Sequence, residues 1–192
     1  MLGRPRITPI DDATATDAQR DALAPLGAMG SLNIFRTLAV HPKLLRSWLP
    51  FGGRLLQGST LDARIRELVI LRTAARCGSE YEWGQHVGIG RDAGLSDEEI
   101  LACATSGPDA VALSSWSGVE RTVLRSVDEL VDDHEMAAAT WGALAEAGWS
   151  DAQLIELPML VGHYAMLAGM LRSVGVETEG PLPMIGSVEP AP

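Results

Sequence analysis

Apolar residues recur along most of the chain at i, i+3, i+4 and i+7, the spacing that lines one face of a helix. No stretch alternates apolar and polar positions for more than a few residues, and Ala and Leu dominate while β-branched residues rarely cluster. The pattern predicts an all-α chain. Residues 16–24 read as a short helix with Thr16 or Asp17 as its cap, ended by the stretch from Pro25 to Gly30. A helix over 32–40 stops at His41-Pro42, because proline disfavours α geometry in the residue before it. Residues 43–57 form a longer helix, with Leu44, Leu45, Trp48, Leu49 and Leu55 at apolar positions. Pro50 and Gly52-Gly53 are places where it would kink.

The strongest pattern spans 61–77, with Thr60 as its cap. Gly78-Ser79 marks a break, and residues 80–93 form the next helix, closed by Gly94 as a C′ glycine. Ser96-Asp97-Glu98-Glu99 reads as a capping box opening a helix over 97–105. A loop is expected at 106–115, then helices at 117–134 and 136–148. Ser150 caps a last long helix reaching about residue 174, bent in its first half by Pro158. Residues 1–15 read as an N-terminal arm. Residues 177–192, with four prolines and two glycines, read as a C-terminal tail that is an arm or disordered. Between them, 16–176 is one helical domain without an internal linker or tandem repeat.

Composition narrows the function. The chain has 192 residues, enough for a full hydrophobic core without disulfides or a structural metal. Its net charge of −10, from 15 basic and 25 acidic side chains, repels phosphate backbones and anionic membrane surfaces. No nucleic-acid or membrane partner is expected. No apolar run approaches the roughly 20 residues a membrane span needs, and the first ten residues lack the apolar core of a secretory signal. Two isolated cysteines, Cys77 and Cys103, suit reduced thiols in a cytoplasm.

One constellation carries candidate chemistry. At 100° per residue, Ser79, Glu82 and His86 fall within about 60° of one another on one helix face. A hydroxyl, a carboxylate and an imidazole are thereby stacked, with Tyr81 and Trp83 beside them. On the preceding helix Glu67 shares a small, apolar stripe with Ala63, Leu71 and Ala74. The break at Gly78 lets the two helices pack antiparallel, which could bring Glu67 against His86 as an acid–base pair. The structural alternatives are plain: Glu67 paired with Arg64 or with an arginine from another helix, Glu82 solvated, His86 a satisfied core histidine, and Ser79 an N-cap. His163 and Tyr164 could meet the site from the last helix. Glu67, Glu82, His86 and His163 are competent metal ligands, but no HxxE or HxxxH pair supports a metal site.

The segment RIRELVILRTAARCGSEYEWGQHVGIGRDAGLSDEEI (64–100) resembles the carboxymuconolactone decarboxylase family of the alkylhydroperoxidase D-like superfamily. NIFRTLAVHPKLLRSWLPFGGRLLQGSTLDAR (33–64) and LVGHYAMLAGMLRSVGV (160–176) resemble its flanking helices, so the likeness covers about residues 30 to 178. It implies an all-helical fold that assembles into homo-oligomers (trimers, hexamers or dimers). Members with peroxidase activity carry a glutamate, a CxxC pair and a histidine four residues after the second cysteine. On this chain the glutamate falls on Glu67, the cysteines on Ser79 and Glu82, and the histidine on His86. Both thiols are missing, and neither a serine nor a glutamate can form a sulfenic acid or a disulfide.

The resemblance therefore implies the thiol-free branch: a cofactor-independent acid–base enzyme acting on a small carboxylated or lactone substrate. Glu67, Glu82 and His86 are its expected catalytic residues. His86 is the general acid–base, Glu67 fixes its tautomer, and Glu82 carries a second proton. Ser79, Tyr81, Trp83 and His163 are expected around the substrate, and Arg72, Arg76 or Arg91 would supply a cation for an anionic one. Two other readings stay open. One is a peroxidase using Cys77 or Cys103; the other is a non-enzymatic oligomeric binding protein.

Overall fold

A computed structural model describes residues 5–105 and 115–190. The described residues are helical, with no strand beyond an isolated bridge between Pro183 and Pro190. The order is α1 (Asp17–Leu23), a 3-10 segment (Ala24–Ser31), α2 (Asn33–Leu38), α3 (Pro42–Gln57), α4 (Ala63–Arg76), α5 (Glu80–Asp92), α6 (Asp97–Ala104), α7 (Gly118–Asp132), α8 (Ala138–Glu146) and α9 (Asp151–Val174). The loop expected at 106–115 lies, but for its last residue, outside the described residues.

The caps at Thr16 and Ser96 are those the sequence predicts, and the structure adds Ser117. Thr16, Ser96 and Ser117 each accept from the backbone N–H three residues on, and Gln19, Glu99 and Glu120 reach back to complete the boxes. Gly94, with φ of 91°, closes α5 in the left-handed conformation open to glycine. The cap of α4 differs from expectation. Asp62, not Thr60, accepts from Ile65 N–H. Thr60 is drawn away instead, because its backbone N–H and hydroxyl both donate to the Glu156 carboxylate of α9. Pro50 and Pro158 lie inside helices that continue through them.

The chain divides into two compact units. One comprises residues 5–58 and 170–181. Its N-terminal arm is tied down: Arg6 N–H donates to the Val174 carbonyl at 2.8 Å, and Arg36 donates to the Ile10 carbonyl and pairs with Asp12. The other unit comprises 59–105, 115–169 and 182–190, with α4 at its centre. Leu68, Val69, Ile70 and Leu71 are fully buried consecutive residues, so this helix is enclosed on every side rather than amphipathic.

Such a helix forces each polar residue it carries to find a partner. Thr73 donates back to the Val69 carbonyl at 2.7 Å. Arg72 pairs bidentately with Asp128 of α7 and donates to the carbonyls of Cys103 and Thr105.

Residues 182–190, expected as a loose tail, pack on α5. Trp83 Nε1–H donates to the Ser187 carbonyl at 3.0 Å, and Ile185 N–H donates to the Glu80 carboxylate at 2.7 Å. Gly84 makes room for this: a Cβ there would meet Leu182 Cβ at 2.7 Å. By length and composition α9 could cross a membrane, contrary to expectation. Half of its apolar window is buried inside the protein, as in a core helix, and Glu156, His163 and Tyr164 on it are buried too.

Candidate functional site

The Gly78 break, with φ of 65°, reverses the chain so that α5 packs against α4. The Glu67 carboxylate and the His86 imidazole then meet at 2.7 Å, from Oε2 to Nδ1. Glu67 is fully buried and His86 nearly so. The other carboxylate oxygen accepts from Arg66 Nε–H at 2.9 Å. With Glu67 held as an acceptor between two donors, the His86 proton sits on Nδ1 and Nε2 presents a lone pair. The Tyr164 hydroxyl of α9 lies 3.2 Å from that nitrogen and donates to it. The result is a hydrogen-bonded series running Arg66, Glu67, His86, Tyr164.

The alternative pairing of Glu67 with Arg64 does not occur. Arg64 pairs with Glu99 and Glu120. Arg66 carried no signal in the sequence, since adjacent helical residues point in different directions. Tyr164 was legible only as part of the His163-Tyr164 pair, and which side chain it reaches depends on how α9 packs.

Ser79 occupies the N-cap position of α5, but its hydroxyl makes no capping bond. It is 1% exposed and Glu82 is 3% exposed, so both are buried rather than solvated. Neither Ser79 Oγ nor either Glu82 oxygen has a hydrogen-bond partner of good geometry. Burial pushes the Glu82 carboxyl up to about 8, and the adjacent Ser79 hydroxyl offsets only part of this. Glu82 thus holds its proton at neutral pH. Burial, followed by the charges of Glu67 and Glu82, raises the Tyr164 phenol well above its ordinary value. His163 packs edge-on to Tyr164, with ring centroids 5.4 Å apart, and burial lowers it to about 4, so it is neutral.

The remaining candidates are placed as follows. Tyr81 is buried, and the Trp83 indole is turned toward the C-terminal segment by its bond to Ser187. The three arginines expected to bind an anion are each committed to carboxylates: Arg72 to Asp128, Arg76 to Asp128 and Asp132, and Arg91 to Asp97. Cys103 is buried on α6, and burial pushes its thiol up to about 12, far from a reactive thiolate. Cys77 is half-buried at the end of α4. Among the described residues, no three His, Cys, Asp or Glu side chains gather as a metal-binding group.

A cleft of about 400 Å³ opens beside Leu61, Arg64, Trp149 and Gln153. Its lining includes none of Glu67, Ser79, Glu82, His86 or Tyr164. Arg64 and Glu120, the charged pair beside the cleft, are bound to each other.

Residues 42–116 match the model of the carboxymuconolactone decarboxylase family. No curated protein matches the chain. Solved structures share its fold. The alkylhydroperoxidase AhpD core of an uncharacterized peroxidase-related protein from Ralstonia eutropha JMP134 superposes with a TM-score of 0.77 at 19% identity, covering 92% of this chain and 93% of that one. An uncharacterized peroxidase-related protein from Silicibacter sp. TM1040 gives 0.74 at 14% identity, covering 93% and 96%. The debrominase Bmp8, in complex with 2,3,4-tribromopyrrole, gives 0.70 at 14% identity, covering 90% and 91%.

Proposed function

We propose that this chain, of the carboxymuconolactone decarboxylase family over residues 42–116, is an acid–base enzyme that needs neither thiols nor a cofactor. Its substrate is a small enolisable lactone or carboxylated compound. The carrying observation is the series Arg66, Glu67, His86, Tyr164, in which two buried side chains flank an imidazole with its tautomer set. A substrate proton passes to the Tyr164 oxygen as the phenol proton moves to His86 Nε2. The imidazolium so formed lies against Glu67, and the reverse transfer reprotonates the carbanion. Glu82, neutral below about pH 8, offers its O–H to the oxygen on which charge develops.

A thiol peroxidase is disfavoured chemically. The family's thiol positions hold Ser79 and Glu82, and Cys103 is buried with its thiol pushed up to about 12. A cytoplasmic homo-oligomer is the setting we expect for the enzyme. The test is exchange of the acidic C–H protons of small lactones and keto acids in D2O, followed by NMR. Native protein exchanges them and His86→Ala loses the activity, whereas the double variant Cys77→Ser, Cys103→Ser keeps it. Peroxide-dependent turnover that disappears in the double variant would refute the acid–base reading.

A further inference from the structure

We propose that Ser79 and Glu82 form a recognition pair for an uncharged group that both donates and accepts hydrogen bonds, such as a cyclic amide, in preference to a carboxylate or an amine. This rests on the acid–base reading of the same site and narrows its substrates from the lactone or carboxylated class to uncharged cyclic carbonyl compounds.

The argument begins with satisfaction. The other buried carboxylates of this unit all have partners. Glu67 has Arg66 and His86. Glu99 has Arg64 and the Ser96 N–H, and Glu120 has Arg64 and the Ser117 N–H. Glu156 has the N–H and hydroxyl of Thr60. Glu82 alone among the described carboxylates has both oxygens buried without a well-formed hydrogen bond, and the Ser79 hydroxyl beside it shares that condition. A fold that satisfies its buried carboxylates elsewhere and leaves three polar atoms open on one helical turn holds them for something that binds there.

Charge decides what that is. Tyr164 of α9 lies near enough to Glu82 to feel its charge once the carboxyl ionises, with His163 beside it. From α4 come Glu67 and Arg66, already paired with each other, and from α5 itself comes His86, held by Glu67. Among the described residues Arg64, Arg72, Arg76 and Arg91 are likewise each paired with a carboxylate. A carboxylate entering would carry its charge into a low-dielectric setting where the neighbouring guanidinium already answers Glu67. A protonated carboxyl offers one O–H donor and one carbonyl acceptor, and the adjacent hydroxyl adds another of each. A cis-amide presents the complementary pair.

The test is binding, followed by NMR on the full chain carrying carbon-13 at the glutamate carboxyls. The probes are 2-pyrrolidinone, butanoate and butylammonium, of similar size and different charge. At pH 7, 2-pyrrolidinone is expected to give a saturable shift of the Glu82 signal and to bind at least about tenfold more tightly than either ion. Its affinity should fall about tenfold between pH 7 and pH 9, as ionisation removes the O–H donor. Glu82→Gln, neutral at every pH, should keep the pH 7 affinity and lose the pH dependence, while Glu82→Leu should lose binding. Equal or tighter binding of butanoate or butylammonium, an affinity flat with pH in the native protein, or no binding of any probe would overturn the proposal. Because binding needs no turnover, the two readings separate. A chain that selects the lactam but exchanges no substrate protons keeps this proposal and loses the acid–base one.

Discussion

Arg64 and Glu67 lie one turn apart on α4, and the polar clusters built on them differ in kind. Around Arg64 every charge is answered: its guanidinium binds Glu99 and Glu120, and both carboxylates also cap their own helices. Those contacts hold the Glu99 and Glu120 carboxyls below the usual range and raise the Arg64 guanidinium. Around Glu67 the series is satisfied from Arg66 to Tyr164, yet Glu82 and Ser79 next to it are not. The first cluster joins helices. The second keeps a proton on a buried carboxyl, which on our proposal is held for a ligand. A cluster's function is thus better judged by its unanswered groups than by how many charges it holds, and here the cleft lies beside the answered cluster.

The comparison can be broken most severely at Glu67. Glu67→Gln removes the acceptor that fixes the His86 tautomer and should lower turnover by about 100- to 10,000-fold. In proton-exchange kinetics, a loss under threefold would mean that Glu67 belongs with the structural cluster. Arg64→Ala should do the reverse. It leaves Glu99 and Glu120 short of a partner and costs about 2–4 kcal/mol in urea unfolding, less than a fully buried pair because Arg64 keeps some exposure. Activity per folded molecule should be unchanged.

Glu82 sharpens the contrast through pH. Its folded-state carboxyl titrates at about 8 and its unfolded one near the ordinary 4.5. Between those values the folded state keeps a proton that the unfolded state gives up, so this group's penalty grows as pH rises from 4.5 to 8 and is constant above. Glu82→Gln should therefore be more stable than the native chain at pH 9, by on the order of 5 kcal/mol, and the gain should vanish near pH 4. Unfolding titrations across that range measure it. Glu99 and Glu120, shifted downward, should favour folding above the ordinary carboxylate range and lose that contribution as the pH falls through their folded values. The smallest effect on stability belongs to Tyr164→Phe, within about 1 kcal/mol, although removing the oxygen that takes the substrate proton should slow exchange about 100- to 10,000-fold.

Much of the helical layout was legible in the chain because its signals are local. The caps at Thr16 and Ser96 and the Gly94 stop need only neighbours within four residues. The Glu67–His86 pair was legible too, since a tight break between two adjacent helices leaves few ways to pack them. The cap of α4 differs from the sequence reading at Thr60 for a tertiary reason. A hydroxyl at a helix start is expected to cap, but Thr60 is claimed by Glu156, which lies far along the chain. The packing of 182–190 on α5 escaped notice because proline-rich composition reports local geometry and not the indole, carboxylate and missing Cβ that receive it.

What the amino-acid order determined by itself was therefore the helical period, the breaks, the absence of thiols at positions 79 and 82, and the proximity of Glu67 to His86. Tertiary structure decided the rest: that Arg66 and Tyr164 complete the series, that three arginines expected to bind an anion are already taken, and that Glu82 is buried without a partner. Burial and pairing depend on every element packed around a side chain. No spacing along a single helix can encode them.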